Sequence, residues 1–136
     1  MPQPIPDGQP PISAAVIVAD RRVLMVRRRI REGPLSWQFP AGEVEPGEVG
    51  EQAAVRETRE EVGLVVSPIK TLGERIHPAT GRTMIYVACA PVDGTARAAD
   101  TDEIAQVAWC DRVTLEKRVT HALFEPVQEY LDATLG

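Results

Sequence analysis

A mixed β-sheet covered by helices, an α/β fold, is predicted by three observations. Short apolar, β-branched runs recur along the chain. One long segment, Val49 to Val62, lacks Gly and Pro apart from Gly50 and interrupts those runs. The resulting order, β-β-β-α-β-β-β-β-α, is not the regular alternation that builds a wholly parallel sheet. With 136 residues and 43% apolar content, the chain suits one compact domain with a real core.

The elements follow in order. Residues 1–11 carry five of the twelve prolines and read as a disordered or loosely docked tail before a single domain over 12–136. Ile12 to Ala19 reads as a buried strand. Asp20-Arg21-Arg22 turns the chain into Val23 to Arg28, its hairpin partner. Arg31 to Ser36 reads as loop around Gly33-Pro34, and Trp37-Gln38-Phe39 as a short extended piece before Pro40-Ala41-Gly42. Val49 to Val62 is a helix closed by Gly63. Leu64 to Ser67, Thr71 to Ile76, Thr83 to Ala90 and Ile104 to Trp109 are strands, with turns at Pro78 to Gly81 and Asp93-Gly94. A short helix near Val113 to Arg118 and a last one from Glu125, with Pro126 in its first turn, end the chain.

Composition excludes several classes. No apolar run reaches the roughly 18 residues that span a bilayer. The start lacks the basic-then-apolar pattern of a secretory signal. Cys89 and Cys110 are too few for a disulfide framework, and their spacing is no zinc pattern. Free thiols in a reducing cytoplasm are expected, with no membrane partner. A net charge of −5 disfavours a nucleic-acid-coating role.

The location of that charge is more informative. Gly42 to Leu64 holds seven Glu against two Arg, while the rest of the chain is balanced. Arg21 to Arg31 holds six Arg and no acid. On a helix of about 100° per residue, Glu57, Glu60 and Glu61 share a stripe about 100° wide, opposite Val55, Thr58 and Val62. The ordinary reading of such a stripe is a solvated acidic face. The alternative is a site for a hard divalent cation, Mg²⁺ foremost, which relieves the repulsion among carboxylates and binds substrate phosphates.

The neighbouring pattern shifts the balance toward the second. The string Gly42-x5-Glu48-x7-Arg56-Glu57-Thr58-x-Glu60-Glu61-x-Gly63-Leu64 closely resembles the Nudix box. Every fixed letter matches, and Thr58 departs from the pattern by replacing a bulky aliphatic residue on the packing face. The strand ending in Arg27-Arg28, followed by Trp37-Gln38-Phe39-Pro40-Ala41-Gly42, is similar to the family's lead-in, with Ala41 in place of the first of two glycines. The resemblance covers Ile12 to the last helix. It implies an α/β/α sandwich around a mixed sheet, with a catalytic loop and helix at about 42–64.

The resemblance also implies a pyrophosphohydrolase that cleaves a phosphoanhydride of a nucleoside diphosphate linked to another group. Glu57, Glu60 and Glu61 would hold Mg²⁺ or Mn²⁺, completed by the Ala41 carbonyl, with Glu48 a further ligand or a brace. Arg56 would orient the carboxylates. Among the later loop acids Asp100, Asp102 and Glu103, Glu103 is the favoured general base, against the reading of a solvated loop charge. Arg28 would face substrate phosphate, against a solvated strand edge. Trp37 and Phe39 would stack a base, against core packing. His77 and His121 read as ordinary lone histidines.

Substrate readings stay open. A nucleoside triphosphatase similar to MutT fits the short chain. An ADP-ribose or nucleotide-sugar pyrophosphatase is suggested by Pro40-Ala41-Gly42-Glu43 and by Pro78. Gln38-Phe39-Pro40 also occurs in branches acting on dinucleoside polyphosphates and RNA caps. A catalytically silent nucleotide sensor is the remaining class, though such domains usually lose a box carboxylate. The expected partner is a small nucleotide, and a homodimer is compatible with the family.

Overall fold

The computed structural model describes residues 9–32 and 35–136; the expectations for residues 1–8 and for Gly33-Pro34 lie outside them. The described elements are β1 (Ile12–Ala19), β2 (Arg22–Glu32), β3 (Leu35–Gln38), β4 (Ala41–Glu43), α1 (Gly50–Val62), β5 (Val65–Ile76), β6 (Thr83–Asp93), β7 (Ile104–Cys110), α2 (Arg112–Arg118) and α3 (Glu125–Thr134).

The strands form one mixed sheet in the order β3-β2-β1-β6-β5, with β4 on β1 and β7 on β2. The β1–β6 pair is parallel, and the remaining pairs are antiparallel. Strand alternation divides the core between two faces. Ala14 and Val16 of β1, with Val23 and Met25 of β2, meet Leu115 of α2 and Val127 and Leu131 of α3. Ala15, Ile17, Leu24 and Val26 pack on the other face, against Ala54 and Val62 of α1. The expected α/β/α sandwich is therefore the observed one.

Several local readings change. The two strands expected over Leu64 to Ser67 and Thr71 to Ile76 are one strand, β5, which starts at Val65 and whose pairing with β6 shifts register near Val66, Pro68 and Thr71. Those bulges break the two-residue alternation, so the sequence pattern reads as two strands with a gap. The Arg31 to Ser36 loop is narrower than expected, because β2 continues to Glu32 and β3 begins at Leu35. Ala41–Glu43 is not loop but a short strand paired with Ile12 to Ala14. Thr58 is wholly buried, and its hydroxyl donates to the Ala54 carbonyl at 2.7 Å. That bond satisfies the polar group on a face where an aliphatic side chain would pack.

The β1–β2 turn is a two-residue hairpin in which Asp20 and Arg21 both take positive φ, 51° and 60°. This turn favours Asn-Gly, because side chains with a Cβ crowd the left-handed region. The double substitution Asp20→Asn, Arg21→Gly is expected to stabilise the fold by about 1–2 kcal/mol. A thermal melt showing an unchanged or lower midpoint would contradict that reading of the turn.

Candidate active site

The loop after β4 and the helix α1 are locked together by one side chain. Arg56 forks onto Glu48, with Nε donating to Oε2 at 2.8 Å and Nη2 to Oε1 at 3.0 Å. Nη2 also donates to the Glu43 carbonyl at 2.9 Å, and Nη1 reaches Glu57 at 2.8 Å and Glu60 at 3.2 Å. The fork holds the Glu48 carboxyl below its ordinary range. Pairing with Glu48 first, and Glu57 second, raises the guanidinium further above its already high value. One buttressed arginine thus fixes loop, helix and two carboxylates at once.

The helix begins where the Gln52 side chain accepts the Val49 N–H at 3.0 Å. It closes at Gly63, whose φ of 69° suits a residue without a Cβ. The acidic stripe is graded rather than uniformly solvated. The Glu60 side chain is 55% exposed, Glu57 15% and Glu61 only 7%. Glu61 sits at the margin of the packing face, beside buried Val62. Burial pushes the carboxyls of Glu57 and Glu61 upward, and nearby guanidinium groups, Arg56 for Glu57 and Arg28 for Glu61, partly oppose it.

Arg28, in the middle of β2, faces this buried carboxylate. Nη1 donates to Glu61 Oε2 at 3.0 Å, Nη2 to the Ala41 carbonyl at 2.9 Å and Nε to Gln38 Oε1 at 3.3 Å. The Ala41 N–H in turn donates to Glu61 Oε1 at 3.1 Å. Arg28 is therefore no solvated edge charge, and its described contacts are the groups expected to surround a cation.

These residues open onto a cavity of about 390 Å³. Arg28, Ala41, Glu57, Glu61, Asp100 and Glu103 are among its lining residues. Phe39, Tyr86 and Phe124 line it too, with rings 6.4 Å and 5.4 Å apart in succession. Trp37 also reaches the wall, under the Arg118 guanidinium at 4.2 Å. Phe39 is both a core residue and part of the lining, and Trp37 packs beside the same core while also lining the cavity.

Glu48, Arg56 and Glu60 lie outside the cavity lining. Among the described residues, no three acidic, histidine or cysteine side chains converge as a metal-binding group. Glu60 leans onto Arg56, sharing its Nη1 with Glu57. The donor chemistry nevertheless suits a hard cation, since two carboxylates and a backbone carbonyl offer oxygen only. The cradle is close: a Cβ on Gly42 would lie 2.1 Å from Glu57 Cδ, so glycine alone leaves room for that carboxylate.

Three features escaped sequence reasoning. The loop bearing Asp100 and Glu103 is tied to the end of α1, with the Ala99 N–H donating to the Glu61 carbonyl at 3.0 Å and the Arg97 N–H to that of Val62 at 2.9 Å. The Arg29 N–H donates to the Glu103 carbonyl at 2.9 Å, fixing the loop's far end to β2. Only tertiary backbone bonds reveal that placement. His77 and His121 meet at the cavity with ring centroids 6.5 Å apart, and Arg75 joins them there. Finally, Pro10 and Pro11 are held at the rim, by Arg82 at 2.8 Å and by the Val44 N–H at 2.9 Å.

A buttressed acidic loop and helix opening onto a cavity, set on a mixed sheet between helices, defines a class of protein rather than a single activity. Residues 9–130 match the NUDIX domain, and the chain belongs to the Nudix hydrolase family. It is similar to an 8-oxo-dGDP phosphatase of Mus musculus, 35% identical over 96 residues, which are 68% of this chain and 29% of that protein. It also resembles an RNA pyrophosphohydrolase of Serratia proteamaculans, 41% identical over 66 residues, 48% of this chain and 37% of that protein. The matched stretch thus spans well under half of each curated relative. The fold is shared with a Nudix hydrolase structure from Nitrosomonas europaea, with a TM-score of 0.74, 22% identity and coverage of 91% of this chain and 72% of that one.

Proposed function

We propose that the protein is a divalent-metal-dependent pyrophosphohydrolase that cleaves a phosphoanhydride of a nucleoside triphosphate or of a related nucleoside diphosphate derivative. The observation that carries this reading is the cavity itself. Half-buried Glu57 and buried Glu61 line it together with aromatic rings, so a single ligand with a phosphate chain and a ring system would meet both.

In this reading Glu57, Glu61 and the Ala41 carbonyl hold Mg²⁺ or Mn²⁺, with Glu60 swinging in from Arg56 and Glu48 acting mainly as the brace. When bound there, such a cation would supply charge neutralisation for phosphate oxygens and would lower the pKa of a water. Arg56 keeps the carboxylates in place. Glu103, on its anchored loop, accepts the water proton, and Arg28 shifts part of its fork from Glu61 to substrate phosphate. Trp37 and Phe39 border the ring system.

An ADP-ribose or nucleotide-sugar substrate is the second reading. The β5–β6 turn that contains Pro78 brings His77 and Thr80 to the cavity wall, where the group beyond the diphosphate would lie. A nucleotide sensor is the least favoured reading, because every box carboxylate is present. Free, buried Cys89 and Cys110 support a cytoplasmic location, and burial pushes the Cys89 thiol up to about 12. Among the described residues no helix is long and apolar enough to cross a membrane. Pairing of two copies remains part of the proposal from family likeness.

A carboxyl whose folded pKa is raised contributes stability below its unfolded value and loses it as pH rises through the folded value. The metal-free protein is therefore expected to lose stability, through Glu57 and Glu61, over the pH range above the ordinary carboxylate value. Added Mg²⁺ should raise the melting midpoint more at the upper end of that range. A midpoint shift independent of pH would contradict the assignment of these two carboxylates. The function itself is tested by incubating the protein with Mg²⁺ and a nucleotide panel, where phosphoanhydride cleavage is expected and no product from any member would contradict it.

A further inference from the structure

We infer that Arg75 reads the nucleobase, selecting a purine that presents two adjacent acceptors on one edge, as guanine does with O6 and N7. The inference rests on the nucleotide reading of the cavity given above. Arg75 lies on β5 and lines the cavity, and its guanidinium lies 5.1 Å over the Phe124 ring and 5.8 Å over the Tyr86 ring. Its Nη2 makes one long hydrogen bond, 3.4 Å, to the Tyr86 hydroxyl. Its Nε is buried and has no hydrogen-bond partner among the described residues.

A buried donor on a cation costs free energy unless something accepts from it. No described salt bridge involves Arg75, whereas nearby Arg82 is paired with Glu43 at 2.9 Å. His121, held below its ordinary value by burial first and by Arg75 second, adds no full positive charge beside it near neutral pH. The local chemistry is thus one planar two-donor fork among aromatic rings, rather than a cluster of cations suited to another phosphate. An aromatic base fits the ring faces, and its acceptors fit the fork.

Guanine offers O6 and N7 side by side, and a guanidinium fork spans both. Adenine places an amino donor beside N7, so one member of the fork would face another donor. The sheet geometry explains why the sequence conceals Arg75. The irregular pairing of β5 around Gly73 moves it out of simple alternation and brings it against Phe124, which is remote in sequence.

The test compares guanine and adenine nucleotides with the same phosphate chain, using wild type, Arg75→Met and Arg75→Lys. Wild type is expected to favour guanine by about 10- to 100-fold in kcat/KM. Arg75→Met should abolish that preference through KM for the guanine substrate, with kcat little changed. Arg75→Lys, which keeps the charge but lacks the fork, should recover only a small part of it. In parallel, GMP and AMP are titrated calorimetrically into wild type and Arg75→Met without turnover.

Arg75-dependent preference for GMP in a protein that hydrolyses nothing would overturn the enzymatic reading and sustain base recognition. Hydrolysis with equal kcat/KM for both bases in wild type would overturn the role given to Arg75. Equal losses for both bases in Arg75→Met would also overturn it, marking the residue as structural or phosphate-binding.

Discussion

Glu61→Gln is expected to lower kcat by about 10³-fold while the protein remains folded. The carboxylate is 7% exposed, faces the cavity and carries the charge for which a cation or Arg28 competes. Glutamine keeps the shape and a carbonyl oxygen for the Ala41 N–H, which now donates to Glu61 at 3.1 Å. It also removes the cost of burying an anion, while Arg28 retains its bonds to Ala41 and Gln38. What it cannot supply is negative charge for a divalent ion. The comparison is kcat at saturating Mg²⁺ together with a thermal melt of each protein. Wild-type turnover from a folded variant would remove Glu61 from the metal site.

Gly42→Ala is expected to have the second largest effect, about a 10²-fold loss of kcat/KM. The added Cβ would meet three atoms of the Glu57 carboxylate, with Cδ at 2.1 Å and both oxygens at 2.4 Å. Backbone yields less readily than a side chain, so Glu57 must leave its position. Arg56, which holds Glu57 at 2.8 Å, would then brace a displaced ligand. The atoms met are the far end of a flexible side chain, so the shift falls on the position of the carboxylate rather than on the stability of the fold. Metal titration by calorimetry should show weakened binding with the fold retained. Unchanged metal affinity and turnover would mean that Glu57 works from elsewhere.

The sequence and the structure agree most closely where chemistry is contiguous. The loop and helix from Gly42 to Leu64 are legible because their residues act at fixed helical spacing, and Arg56 meets Glu48, Glu57 and Glu60 without help from distant parts of the chain. The two-faced sheet is legible in β1 and β2 because their side chains alternate without interruption. Alternation fails in β5, where register shifts hide both the strand's continuity and the direction of Arg75.

The stripe on α1 shows a second limit. Helical projection groups Glu57, Glu60 and Glu61, but their exposure depends on which strands lie beneath the helix. Glu61 is buried because Arg28 and Ala41 come to it from β2 and β4, while Glu60 stays at the surface with Arg56. Those neighbours are 33 and 20 residues away along the chain, beyond the reach of any local pattern. Glu103 is similar, since its position follows from backbone bonds to Arg29 and from its loop's bonds to the end of α1.

The most direct measurement is product analysis of a panel of nucleoside triphosphates, nucleotide sugars and dinucleoside polyphosphates incubated with the protein, with and without Mg²⁺. Mg²⁺-dependent appearance of a nucleoside phosphate shortened at a phosphoanhydride is predicted for at least one member, with loss of that product in Glu61→Gln. Absence of any product across the panel, or cleavage that persists undiminished without divalent metal, would contradict the assignment of this cavity as a metal-dependent pyrophosphohydrolase site.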